Sequence, residues 1–124
     1  MAIAGTLFDP TADPRLSVEL DVPPPPAPVR IILAGELDGE EVERLHRAVA
    51  PLPLPGDDRD LTIEATELTF VDSAGLRALL TFRDRAFEAG ARVLIDRVSR
   101  NVYQVLRIAG LTDVFEIGYP AETG

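Results

Sequence analysis

The chain has 124 residues, enough for one domain with one core and too few for two of ordinary size. Apolar residues make up 46% of it, which predicts a folded protein, and the absence of Cys excludes disulfides, thiolate chemistry and Cys-based zinc sites. The net charge is −9 and every basic residue is Arg, which argues against a nucleic-acid or anionic-membrane partner; without Lys there is no Walker-type phosphate loop and no Schiff-base chemistry.

Met1 to Pro14 lack a clear period and read as an arm or edge segment. Leu16 to Val22 alternate apolar and polar residues, the pattern of a half-exposed strand. Pro23 to Pro26, extended by Ala27 and Pro28, donate no backbone hydrogen bonds and read as a stiff loop between two strands. Val29 to Gly35 is largely apolar and is expected to be a strand buried on both faces. Asp38 is the expected N-cap of a helix with a core stripe of Val42, Leu45 and Val49. The prolines between Pro51 and Gly56 stop it, and Asp57 to Asp60 continue the loop.

A strand is expected over Leu61 to Ala65, followed by a short connection to a helix that begins after Asp72. That helix carries Leu76, Leu79, Leu80, Ala86 and Phe87 at helical spacing and ends at Gly90. Ala91 to Asp96 is the next strand. Ser99 caps a helix with apolar Val102, Val105, Leu106 and Ala109, closed by Gly110. Val114 to Ile117 is either a last short strand or a docked tail. The order implies an α/β domain with an antiparallel N-terminal strand pair, then parallel strand–helix–strand units. The expected sheet is mixed and four- to five-stranded, with the helices packed mainly on it. No apolar run reaches bilayer-spanning length and no basic-then-apolar leader opens the sequence, so a cytoplasmic location is expected.

Ser73 stands where the predicted helix opens, next to unpaired backbone N–H groups. Read from position alone, it caps the helix. A hydrolase nucleophile is not supported: Val71-Asp-Ser-Ala-Gly75 lacks the first glycine of a nucleophile elbow, and the single His46 lies between Arg44 and Arg47. With one His and no Cys, no metal site is expected, and the acids from Glu36 to Glu43 do not fit calcium-loop spacing.

The run from Leu61 to Leu76, with Asp72, Ser73, Gly75 and Leu76 at its end, resembles the phosphorylation-site signature of the STAS family. Gly35-Glu-Leu-Asp38 is similar to a second family element, and Ser99 to Leu111 resembles the family's last helix. The resemblance covers about residues 16 to 117, with residues 1–14 an arm, 15–118 the STAS domain and 119–124 a tail. It implies an anti-sigma factor antagonist that catalyses nothing and needs no cofactor. Its implied partners are an anti-sigma factor that is also a serine kinase, and a serine phosphatase.

Ser73 is then the phosphorylation site, and Asp38, Asp72, Ser73, Ala74, Gly75 and Arg77 form the partner-binding surface. Gly75 is expected to leave room for a partner's backbone. Glu64 stands where the family usually has Asp; if that carboxylate helps place the serine, the extra methylene displaces it. Two other functions stand beside it: a non-switching adaptor subunit of a larger signalling or transport assembly, which the Glu64 departure and the proline loops favour, and a nucleotide-binding sensor, for which the sequence has no Gly-rich phosphate loop or Lys. Homodimerisation has no specific support in the sequence.

Overall fold

Leu16–Asp21 (β1) runs antiparallel to Val29–Leu37 (β2), and the chain then climbs through three parallel crossovers. Val42–Val49 (α1) leads to Leu61–Val71 (β3), Ser73–Glu88 (α2) to Val93–Val98 (β4), and Arg100–Ile108 (α3) to Ile117–Pro120 (β5). A computed structural model describes residues 15–54, 59–115 and 117–120; the expected arm, the end of the tail, residues 55–58 of the second proline loop and Glu116 lie outside them. The strands lie in the order β1-β2-β3-β4-β5, so sequence neighbours are also sheet neighbours. With right-handed crossovers, this order carries the helices to one face.

Burial follows that geometry. Val29, Ile31 and Leu33 of β2, Leu61, Ile63 and Ala65 of β3, and Val93 and Ile95 of β4 are buried on the helix-bearing face. Leu45 and Val49 of α1, Ala78, Leu79, Phe82 and Ala86 of α2, and Val102 and Leu106 of α3 complete the core, with Phe115 fully enclosed. Each large apolar side chain buried this way contributes about 1.5–3 kcal/mol. The opposite face is only partly covered, so β2 is buried on one side rather than both. There Arg30 bonds Glu64 on β3 and lies 3.7 Å from Asp21 on β1, tying three strands where apolar packing is thin.

Several elements differ from expectation. β3 does not end at Ala65 but continues to Val71, absorbing the expected connection. β4 begins and ends two residues later than predicted. Phe87 is 68% exposed, because the buried stripe of α2 runs through Gly75, Ala78, Leu79, Phe82 and Ala86. At the C-terminal end, Val114 and Phe115 form a turn, and β5 follows from Ile117 to Pro120. The proline loop does join β1 to β2. Its carbonyls find a donor in the buried Arg59, whose guanidinium bonds Pro23 O and, at 3.2 Å, Ala27 O.

Candidate functional site

Leu37 and Val71 are register partners at the carboxyl ends of two parallel strands, so Asp38 and Asp72 leave the sheet side by side. The two exits are joined. Asp72 N–H donates to Leu37 O at 3.3 Å, and the Asp72 carboxylate accepts the Gly39 N–H at 3.2 Å through Oδ2. Its other oxygen, Oδ1, accepts the Gly75 N–H at 2.8 Å. Asp72 is therefore the N-cap of α2, with extended backbone (φ −104°, ψ −175°), and Ser73 is the first helical residue rather than the cap.

This frees the serine. Ser73 is exposed, and among the described residues its hydroxyl has no hydrogen-bond partner. Neighbouring hydroxyls differ. Thr69 Oγ1 donates to Gly35 O at 3.0 Å, and Ser99 Oγ donates to Leu68 O while accepting the Val102 N–H at 3.3 Å. Thr66 Oγ1 also has no partner among the described residues, but it is buried where Ser73 is exposed.

Ala74 is half-buried and Arg77 is exposed one turn beyond Ser73. Gly75 is buried, so its missing side chain serves the chain's own packing rather than a partner's approach. A Cβ there would collide with the Leu37 carbonyl oxygen and stand 2.8 Å from Val71 Cγ2 and 2.9 Å from Leu37 Cγ. Helix α2 thus begins seated directly on the backbone end of β2.

Asp38 does not cap α1, which starts at Val42 after an intervening turn. The Asp38 carboxylate instead accepts the N–H groups of Glu40 and Glu41 at 3.1 and 3.2 Å and holds Arg15 at 2.7 Å. Arg15 also reaches Glu40 at 3.0 Å, Glu36 at 3.5 Å and Glu41 at 3.9 Å, so one guanidinium gathers four carboxylates. Desolvation pushes the Asp38 carboxyl up, but the Arg15 hydrogen bond and charge, with the two backbone N–H groups, leave it below its ordinary value. The Arg15 guanidinium is raised in turn, chiefly by its hydrogen bond to Asp38 and then by that to Glu40. Gly35 makes room for Arg15: its φ of +98° suits glycine, and a Cβ would strike the Arg15 carbonyl.

Glu64 does not approach the serine. It lies back along β3 toward the far end of the strand, on the order of 25 Å from Ser73 at about 3.3 Å per residue, and is engaged by Arg30. Phe70 is the residue the sequence did not single out: it is 46% exposed at the end of β3, opposite Glu36. The signal was an aromatic at an outward position beside Val71. Among the described residues no cluster of His, Cys, Asp and Glu could hold a metal ion, and no helix is long and apolar enough to cross a membrane. A groove lined by Arg83, Phe87, Ala91, Arg92, Val93 and Val114 lies toward the opposite end of α2 from Ser73.

Comparison with known proteins gives this arrangement a family. The chain is 24% identical over 109 residues to the anti-sigma-B factor antagonist of Bacillus subtilis (strain 168), covering 88% of this chain and 98% of the relative. Its fold is similar to that of the anti-sigma factor antagonist SpoIIAA in its unphosphorylated form, with a TM-score of 0.69 at 23% identity, covering 86% of this chain and 90% of that one. A sulfate transporter family protein from Wolinella succinogenes is similar too, with a TM-score of 0.64 at 17% identity over 80% of each chain. The family model described as "Mlab, STAS domain" matches residues 20–117, and the protein belongs to the STAS domain family.

Proposed function

We propose that this protein is a cytoplasmic anti-sigma factor antagonist that works by partner switching. In the unphosphorylated form it binds an anti-sigma factor with serine kinase activity, so that a sigma factor is released. Phosphorylation of Ser73 ends the interaction, and a serine phosphatase restores it. The protein itself catalyses nothing. The observation that carries the reading is an exposed, unbonded serine at the first residue of α2, in a chain similar along most of its length to an anti-sigma-B factor antagonist.

The physics of the switch is local. A phosphoryl group adds about −1.5 to −2 charge at neutral pH. Asp72 is adjacent, and the Asp38 loop is bonded to it through Gly39, so the dianion joins an already acidic surface. Desolvating such a charge at an interface costs several kcal/mol, and each ~1.4 kcal/mol is a factor of ten in affinity. One modification suffices to release the partner.

The test is intact-protein mass after incubation with the cognate anti-sigma kinase and ATP. Wild type should gain one phosphate and Ser73→Ala none, while Ser73→Ala still binds the kinase. Ser73→Glu should bind at least about tenfold more weakly; undiminished binding by that variant would sink the switch.

A second reading, a non-switching module of a transport assembly, draws support from the likeness to the sulfate transporter family protein. It requires a stable complex that is indifferent to ATP and to substitution of Ser73.

A further inference from the structure

Ser73 and Arg77 stand at i and i+4 of α2, both exposed, so one turn of helix puts them on the same face. No acid occupies the positions three or four residues either side of Arg77, which are Ser73, Ala74, Leu80 and Thr81. Among the described residues Arg77 makes no ion pair or hydrogen bond. In contrast, Arg15, Arg30, Arg47 and Arg83 are each committed to a carboxylate. The Asp72 carboxylate is also occupied, by the Gly75 and Gly39 N–H groups. Among the described residues, Arg77 is thus an uncommitted cation a single helical turn from the exposed, uncommitted hydroxyl of Ser73.

We propose that Arg77 is the receptor for a phosphoryl group on Ser73, pairing with it across the first turn of α2. This rests on Ser73 being the residue modified. In that modification Ser73 Oγ bonds to the γ-phosphorus of ATP as the bond from that phosphorus to the β–γ bridging oxygen breaks. The hydroxyl proton passes to a base on the kinase, and ADP departs. An acid at i with a base at i+4 is the favourable order along a helix. Guanidinium and phosphate also form strong, charge-assisted hydrogen bonds with matching geometry.

The consequence is twofold. The dianion is drawn along the exposed face of α2, and the cation that face presents before modification is neutralised. Phosphorylation then changes the surface at two positions, adding charge at Ser73 and cancelling it at Arg77.

The experiment installs phosphoserine at position 73 of the full chain during translation, so no kinase is needed. The phosphate's second ionisation is followed by 31P NMR. Its charged surroundings are Asp72 in the turn and, on the β2–α1 loop, Asp38 and Glu40 with Arg15 between them. Those acids raise the ionisation and are common to every variant, so differences between variants report on position 77. Arg77→Gln should raise the pKa by about 0.3 unit or more, and Arg77→Lys should recover most of the difference. Identical titrations for wild type and Arg77→Gln would overturn the proposal. The failures are separable, because the kinase assay asks whether Ser73 is modified and this titration asks what receives the phosphate.

Discussion

Asp72 and Gly39 belong to different strand–helix connections, yet the Asp72 carboxylate accepts the Gly39 N–H at 3.2 Å while capping its own helix through Gly75. One side chain thus holds the opening of α2 and the loop that carries Asp38. Asp72→Ala should lose both bonds and destabilise the fold by about 2 kcal/mol, an N-cap being worth about 1 and a further hydrogen bond about the same. Ser73→Ala should stay within about 0.5 kcal/mol of wild type, since it removes an exposed, unbonded hydroxyl. Urea unfolding of the two variants checks the contrast; equal losses would mean that Ser73 shares the capping role.

The two glycines near the site should respond in opposite ways. Gly75→Ala adds a methyl against the Leu37 carbonyl, a backbone atom that cannot swing aside. The expected cost is about 2–3 kcal/mol, outweighing the roughly 1 kcal/mol that Ala gains over Gly in a helix. At Gly39 a Cβ meets only Ala74 Cβ at 3.6 Å, an ordinary contact, so Gly39→Ala should be tolerated. Thermal unfolding distinguishes them.

Asp38 makes the acid limb of the stability curve sensitive to Arg15. Its carboxyl titrates below its ordinary value of 3.8, so folding favours the ionised form. The linked contribution is whole above that pH and is lost as the pH falls through the lower folded-state value. In Arg15→Gln the Asp38 midpoint, read by NMR of the side-chain carboxyl carbon, should move upward. The variant's stability should also depend less on pH below about 4. An unmoved midpoint would mean that the Glu40 and Glu41 N–H groups alone hold Asp38 down.

Arg59 is a buried cation whose described bonds hold the proline loop between β1 and β2. Arg59→Met keeps much of the bulk but leaves the Pro23 and Ala27 carbonyls without this donor. A loss of about 1–3 kcal/mol is expected, with faster amide exchange at Ala27 and Val29. An unchanged melting temperature would show that the loop needs no such support.

The order of elements was legible because each strand and helix carried its own period and punctuation. Ser99 caps α3, and Gly90 and Gly110 close α2 and α3 with φ of +92° and +75°. The second half of β3 was not legible. Register shifts at β2 place its buried residues Ala65, Leu68 and Val71 three apart, a spacing that hides a strand from any test based on alternation. Phe87 misled in the reverse sense: an aromatic next to Ala86 looks apolar in sequence but sits about 100° around the helix from the buried stripe. At the site, the local signature placed Ser73 at the start of α2. It could not show that Asp72 does the capping, because that requires knowing which loop lies opposite. The Gly75 contact with Leu37 and the bond from Arg15 to Asp38 are likewise long-range facts, absent from any local window.

The seating of Gly75 on the end of β2 has one more consequence. A hinge at the base of α2 would need a gap between helix and sheet, and at that point none exists: helix backbone rests on strand carbonyl. A group added to Ser73 therefore has no internal lever to pull. Its arrival is then expected to register at the surface of α2, where a partner docks, and not as a change of shape within the fold.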